Sequence, residues 1–166
     1  MPGSTVHVRT FALGALFAAG CALAHAAEAG AAPVVFAPGE ISAAVNVDAA
    51  TFAPAGDVVY FDESVAGGST IVVSRRVDGH WQVPEVAPFS GVWRDLDPAL
   101  SPDGRFLVFC SNRPAAPGGA ALDSVGWSGK VNAGMGAHLW RVDRAGAGWG
   151  EPVMLPAAVN DGARLY

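Results

Sequence analysis

Residues Asp97–Arg113 read DPALSPDGRFLVFCSNR, and the fold class follows from how this stretch divides. Asp97-Pro98 opens it, and a proline biases the residue before it towards extended backbone. Ser101-Pro102-Asp103-Gly104 has turn chemistry: proline presets φ, aspartate bonds its own backbone, and glycine accepts positive φ. Phe106–Cys110 is a run of five apolar residues, closed by Ser111-Asn112-Arg113. A short apolar run with Phe and Val inside and turn signals on both sides predicts a buried strand. The unit is a short strand, a tight turn and a core strand.

The same unit occurs earlier. Thr51–Ser64 reads TFAPAGDVVYFDES, and a slide of 48 positions sets Phe52 on Leu100, Pro54 on Pro102, Gly56 on Gly104, Tyr60 on Val108 and Phe61 on Phe109. A second echo follows each copy: Ile71–Pro84 (IVVSRRVDGHWQVP) and Leu139–Pro152 (LWRVDRAGAGWGEP). Each is an apolar strand, a basic Gly-containing turn and Trp-x-x-Pro, with Trp81 and Pro84 answered by Trp149 and Pro152. The Trp-to-Trp offset is 68, so the second copy carries about 20 extra residues. Repetition on this scale points to repeated β units such as propeller blades.

The expected fold class is therefore all-β: a partial β-propeller of about two four-stranded antiparallel blades. In the first blade, residues 48–88, strands are predicted near Ala50–Ala53, Asp57–Asp62, Thr70–Arg75 and Gln82–Val86. The second, residues 89–158, should have strands near Ala99–Leu100, Phe106–Cys110, His138–Val142 and Glu151–Leu155. Its insertion, 114–136, falls between the second and third strands. Residues 159–166 read as the start of a third repeat, and two blades cannot close a ring. The chain is expected to be a fragment of a longer protein, with assembly from several copies as the alternative.

The N-terminus reads differently. Arg9 precedes an apolar stretch, Phe11–Leu23, and Ala24-His25-Ala26 fits the small-x-small rule of a signal peptidase site. Residues 1–26 are expected to be a cleaved leader for export to the periplasm or beyond, with lipidation at Cys21 as the alternative. Residues 27–47, rich in Ala and Pro at their start, read as a linker in which Val34-Val35-Phe36 is a candidate edge strand. The chain is 51% hydrophobic and 15% charged with a net charge of −5, which argues against nucleic acid as a partner. Without its leader it carries a single cysteine, Cys110, expected to be a buried apolar side chain.

Asp97-Pro98-x-x-Ser101-Pro102-Asp103-Gly104, followed by Phe106-x-x-Phe109 and Ser111-Asn112-Arg113, resembles the WD40-like PD40 repeat of TolB-type β-propellers. Trp149-x-x-Pro152 and Val159-Asn160 look like the end of one such blade and the lead into the next. The resemblance implies a propeller, a periplasmic or secreted location, and binding of protein or peptidoglycan-associated partners. It implies no catalytic residue. Asp97, Pro98, Ser101, Pro102, Asp103, Gly104, Phe109, Trp149 and Pro152 have structural roles in this reading, with Asp97 and Ser111 bonding backbone at blade junctions. In the first copy the motif is weaker, with Ala53 in place of the serine and Ala55 in place of the aspartate.

Signals for catalysis are poor. There is no Gly-x-Ser-x-Gly elbow and no phosphate loop. His80 and His138 lie far apart with no metal-ligand spacing, so neither a metal nor a cofactor is expected. Asp95 and Asp97 straddle Leu96, and strand alternation would put both on one face. The candidate binding residues are Trp93, Arg94, Asp95, Asn112 and Arg113, which flank predicted strand ends, with the 114–136 insertion as a variable flap. The function read from this is a non-enzymatic binding or scaffold module of the bacterial envelope. The alternative is an accessory propeller of a prolyl-oligopeptidase-type hydrolase whose catalytic domain lies beyond Tyr166.

Overall fold

The computed structural model describes residues 32–42, 46–66 and 68–160. The expected leader, Cys21 and the last six positions lie outside the described residues. Two antiparallel sheets dominate. In the first, β1 (Val47–Phe52), β2 (Val58–Val65), β3 (Gly68–Val77) and β4 (His80–Trp81) lie in chain order, and β5 (Glu85–Val86) also pairs with β3. The second starts with β6 (Asp95–Leu100) and β7 (Phe106–Ser111). A small separate hairpin, β8 (Ser124–Val125) and β9 (Val131–Asn132), intervenes. The sheet then resumes with β10 (His138–Ala145) and β11 (Gly148–Trp149), while β12 (Val153–Met154) pairs with β10. One helical turn, α1 (Ala157–Asn160), follows.

The two sheets correspond pair for pair. Thr51 faces Tyr60 as Ala99 faces Val108; Tyr60 faces Val73 as Val108 faces Arg141; Arg76 faces Trp81 as Arg144 faces Trp149. Even the irregularities recur: β1 slips register between Asp48 and Thr51, and β6 between Leu96 and Ala99. At the slip Ala49 and Asp97 take φ of 46° and 54°. A bulge residue with positive φ re-aims a strand, and here it overrides the extended bias that Pro98 places on Asp97. The sequence expectation of extended geometry at Asp97 is corrected accordingly. Aspartate tolerates this region better than most residues.

The turn before each core strand is also shared. Ser101 N donates to Phe106 O and Gly104 N to Ser101 O, both at 2.8 Å, and Ala53 and Gly56 make the same bonds at the same length. Gly104 and Gly56 have φ of 69° and 72°, which only glycine adopts freely. The second turn adds side chains. Ser101 Oγ donates to Asp103 Oδ1 at 2.8 Å and accepts from Phe106 N at 3.0 Å, and Arg105 N donates to Asp103 Oδ1 at 3.1 Å. Bonds from Ser101 and Arg105 hold the Asp103 carboxyl down to about 2. Alanines at 53 and 55 remove these side-chain bonds from the first turn and leave its backbone pattern intact.

The core lies between the sheets. Tyr60, Ile71, Leu107, Phe109, Trp140 and Val142 form one buried cluster, with Ala87 and Phe89 supplied by the connection between the units. Trp149 Nε1 donates to the Tyr60 hydroxyl at 3.2 Å and the two rings meet edge to face. Val59, Phe61 and Val72 face the other way and bury Ile41. That side is covered by a strap, residues 36–42. Glu40 fastens it, accepting from Trp81 N at 3.0 Å and lying 3.0 Å from His80 Nδ1.

Three further expectations are revised. The single fourth strand predicted in each unit is two short pieces, β4 with β5 and β11 with β12, interrupted at Pro84 and Pro152. Proline has no N–H to give a ladder. Val34-Val35-Phe36 forms no strand; Val34 and Val35 are exposed and Phe36 packs edge-on against Phe52 and Trp81. The insertion, read from sequence only as a variable flap, carries a hairpin, β8–β9.

Candidate functional site

Asp95 starts β6 and is fully buried. A buried carboxylate needs a partner and hydrogen bonds, and it has both. Arg113 Nη2 reaches its two oxygens at 3.1 and 3.0 Å, and Ser90 Oγ donates to Oδ2 at 2.7 Å. The Arg113 guanidinium also donates to Phe89 O and to Ser111 Oγ, and lies over the rings of Phe109 and Trp140. The pairing follows from register, because Asp95 stands opposite Ser111 at the far end of β7.

Asn112 is the next link. Its Oδ1 accepts from Arg94 N at 2.9 Å, and its Nδ2 donates to Gly134 O at 2.8 Å. It thereby joins the loop before β6 to the base of the insertion. Four of the five candidate residues, Arg94, Asp95, Asn112 and Arg113, thus sit in one connected network at this end of the second sheet. Trp93 adjoins them in sequence and is half-buried. Asp95 and Arg113 spend their charges on each other; the groups this end presents outward are Val92, exposed, and the insertion.

The insertion is tightly built. Leu122 N donates to Asn112 O and Gly136 N to Leu122 O, each at 2.8 Å, and Gly134 N donates to Asp123 Oδ1 at 2.7 Å. A Cβ on Gly136 would lie 2.5 Å from Asp123 O, so the two strands of the base touch through glycine. Gly126 N to Lys130 O at 2.9 Å closes the hairpin tip. Trp127 stands on that tip with relative exposure of 110%. Sequence reading places Trp127 within the insertion but not among the candidate binding residues; a lone Trp beside glycines, in Gly126-Trp127-Ser128-Gly129, was the available signal.

A second polar cluster marks the junction of the sheets. Asp62, buried on β2, accepts from Asp97 N at 3.1 Å, which ties the β6 bulge to the first sheet. Burial raises the Asp62 carboxyl above the ordinary aspartate range, and the charges of Asp97 and Asp48 add to this. A raised folded pKa favours folding while the group is protonated, and that contribution is lost as pH rises through the folded value. Asp62→Asn keeps an acceptor for Asp97 N without the charge. Its melting temperature should exceed that of the wild type by a few degrees at pH 7, with the gap closing in acid; an equal gap at pH 7 and pH 3 would refute this cause.

The remaining candidates for chemistry are otherwise engaged. Burial pushes the Cys110 thiol up to about 11, far from thiolate reactivity. His80 pairs with Glu40, and His138 Nδ1 lies 3.3 Å from Met154 Sδ. Among the described residues no group of three or more His, Cys, Asp or Glu could hold a metal ion, and no helix is long and apolar enough to cross a membrane. No protein-family model matches this chain and no curated protein matches it, so the PD40 resemblance rests on the residues of the motif alone.

Proposed function

We propose that this chain is a non-enzymatic binding module of propeller type, exported to the bacterial envelope, which recognises protein or peptidoglycan-associated partners through loops at one end of its second sheet. The observation that carries the reading is the insertion. The first unit joins β2 to β3 through positions 66 and 67, with Val65 paired to Gly68. The second unit makes the equivalent join through residues 112–137, ordered by its own hydrogen bonds and tied to Asn112. The sheet does not need it, as its sibling demonstrates. A rigid hairpin that holds an indole clear of the surface suits recognition, since Trp is among the commonest anchors of binding interfaces and pre-ordering lowers the cost of binding.

Cosedimentation with purified peptidoglycan sacculi, and pull-down against a detergent extract of envelope proteins, test this. Wild type should be retained by one of the two, and Trp127→Ala should raise the dissociation constant read from the retained fraction about 30-fold, as expected of an anchor residue. Retention by neither, or retention indifferent to Trp127, would sink the reading.

A further inference from the structure

Four arginines among the described residues are half-buried, and three of them have partners. Arg113 holds Asp95, Arg141 holds Asp143, and Arg144 lies over the Trp149 ring and donates to Gly104 O. Arg94 is the fourth. Its guanidinium makes no hydrogen bond and no ion pair with any described residue, and its Nη1 is buried with no acceptor. A buried donor without an acceptor is costly, and a buried charge without a counter-charge more so.

The position is nevertheless built. Asn112 clamps the Arg94 backbone twice: its Oδ1 accepts from Arg94 N at 2.9 Å, and its N donates to Arg94 O at 3.2 Å. The stem of the side chain lies on the turn between β2 and β3, where a Cβ added to Gly68 would be 3.5 Å from Arg94 Cβ and Cγ. These contacts hold the cation at the seam between the two sheets. The Cys110 thiol, raised chiefly by burial, is raised further by Asp97 and Asp62 and lowered by Arg94, so all three charges stand around it. Neither carboxylate pairs with Arg94; Asp62 accepts from Asp97 N instead.

We infer that Arg94 anchors a carboxylate-binding site at this seam, which takes a peptide carboxylate from a chain terminus or an acidic side chain. A guanidinium presents paired N–H groups that match both oxygens of a carboxylate. A singly charged group suits the site, because Asp97, Asp62 and the net charge of −5 oppose a doubly charged phosphate. Val92, 82% exposed and two positions away, offers apolar surface to the residue that carries the carboxylate. The ligand supplies the counter-charge that the fold withholds, so the cost of the unpaired cation is part of the site. That the ligand belongs to an envelope partner rests on the reading above; the site itself does not.

Titration of the isotope-labelled chain at low salt, followed by the resonances of the Trp93 indole and the Asn112 amide, tests the inference. The probes are N-acetyl-trialanine with a free carboxylate, the same peptide amidated, an amidated acetyl-Ala-Glu-Ala, and inorganic phosphate. At least one of the two carboxylate peptides should bind saturably, and which one does identifies the source. The amidated trialanine and phosphate should each bind about 10-fold or more weakly, as should the carboxylate peptide to Arg94→Met. Arg94→Met keeps the apolar stem and should melt no lower than wild type, since it removes an unpaired charge. Trp127→Ala should bind the carboxylate peptide as wild type does, which separates failure here from failure of capture through Trp127. Carboxylate peptides that bind no better than the amide, tighter binding of phosphate, or an Arg94→Met variant that binds undiminished or melts several degrees lower overturns the inference.

Discussion

Arg113→Ala is expected to lower folding free energy by about 3–5 kcal/mol, the usual cost of removing one partner of a buried ion pair. The side chain of Arg113 is 11% exposed and that of Asp95 0%, so water cannot take over the abandoned charge. Ser90 Oγ would remain as a donor to Asp95, which offsets part of the loss. The carbonyl of Phe89 and the rings of Phe109 and Trp140 would also lose the guanidinium. Arg113→Lys should recover little, because an ammonium neither bridges both carboxylate oxygens nor lies flat on an aromatic ring. The double variant Asp95→Ala, Arg113→Ala should be more stable than Arg113→Ala alone, since the buried charge goes with its partner. Urea denaturation of wild type, Asp95→Ala, Arg113→Ala and the double variant gives the coupling energy directly. A cost for Arg113→Ala below about 1 kcal/mol would place this arginine among ordinary surface pairs and dissolve the network drawn around it.

That pair shows what sequence could and could not reveal. Two sheets of the same kind were legible, because turn residues and apolar alternation are local signals: Ser101–Gly104 and Phe106–Cys110 declare themselves within a dozen positions. The offset of 48 was legible for the same reason, and the register bears it out from Val47 opposite Glu63 to Asp95 opposite Ser111. Arg113 and Asp95 are 18 positions apart, and only the antiparallel pairing of β6 with β7 brings them together. Both were named as loop residues near strand ends, without any sign that they would meet. The bulge at Asp97 was hidden by Pro98, whose local preference gives way to a hydrogen bond from Asp97 N to Asp62 on another sheet. The broken outer strands were foreshadowed by Pro84 and Pro152. Trp127 was obscure because an exposed tryptophan and a buried one look alike in sequence, and only the hairpin geometry separates them.

Phe109→Ala and Phe61→Ala, the same deletion at equivalent positions of the two units, should give unequal losses. Both rings are buried, at 0% and 1% exposure, so the transfer contribution is nearly equal. What differs is the surroundings. Phe109 is wedged between two sheets, 5.4 Å from Phe89 and beneath the Arg113 guanidinium, with backbone ladders on both sides. Those ladders cannot move inward without breaking hydrogen bonds, so the void persists. Phe61 lies under the strap, which forms no ladder with the sheet and can settle into vacated space. Deletions of this type cost about 3–5 kcal/mol, and the spread follows how far the site collapses. Phe109→Ala should fall at the top of that range and Phe61→Ala at the bottom or just below it. Phe61→Ala should also speed hydrogen exchange at Trp81 N, which depends on the strap through Glu40, while leaving the amides of β7 and β10 protected. Equal losses, or exchange that rises uniformly across both sheets, would mean that the strap is as rigid as a strand and that the two faces of the first sheet are energetically alike.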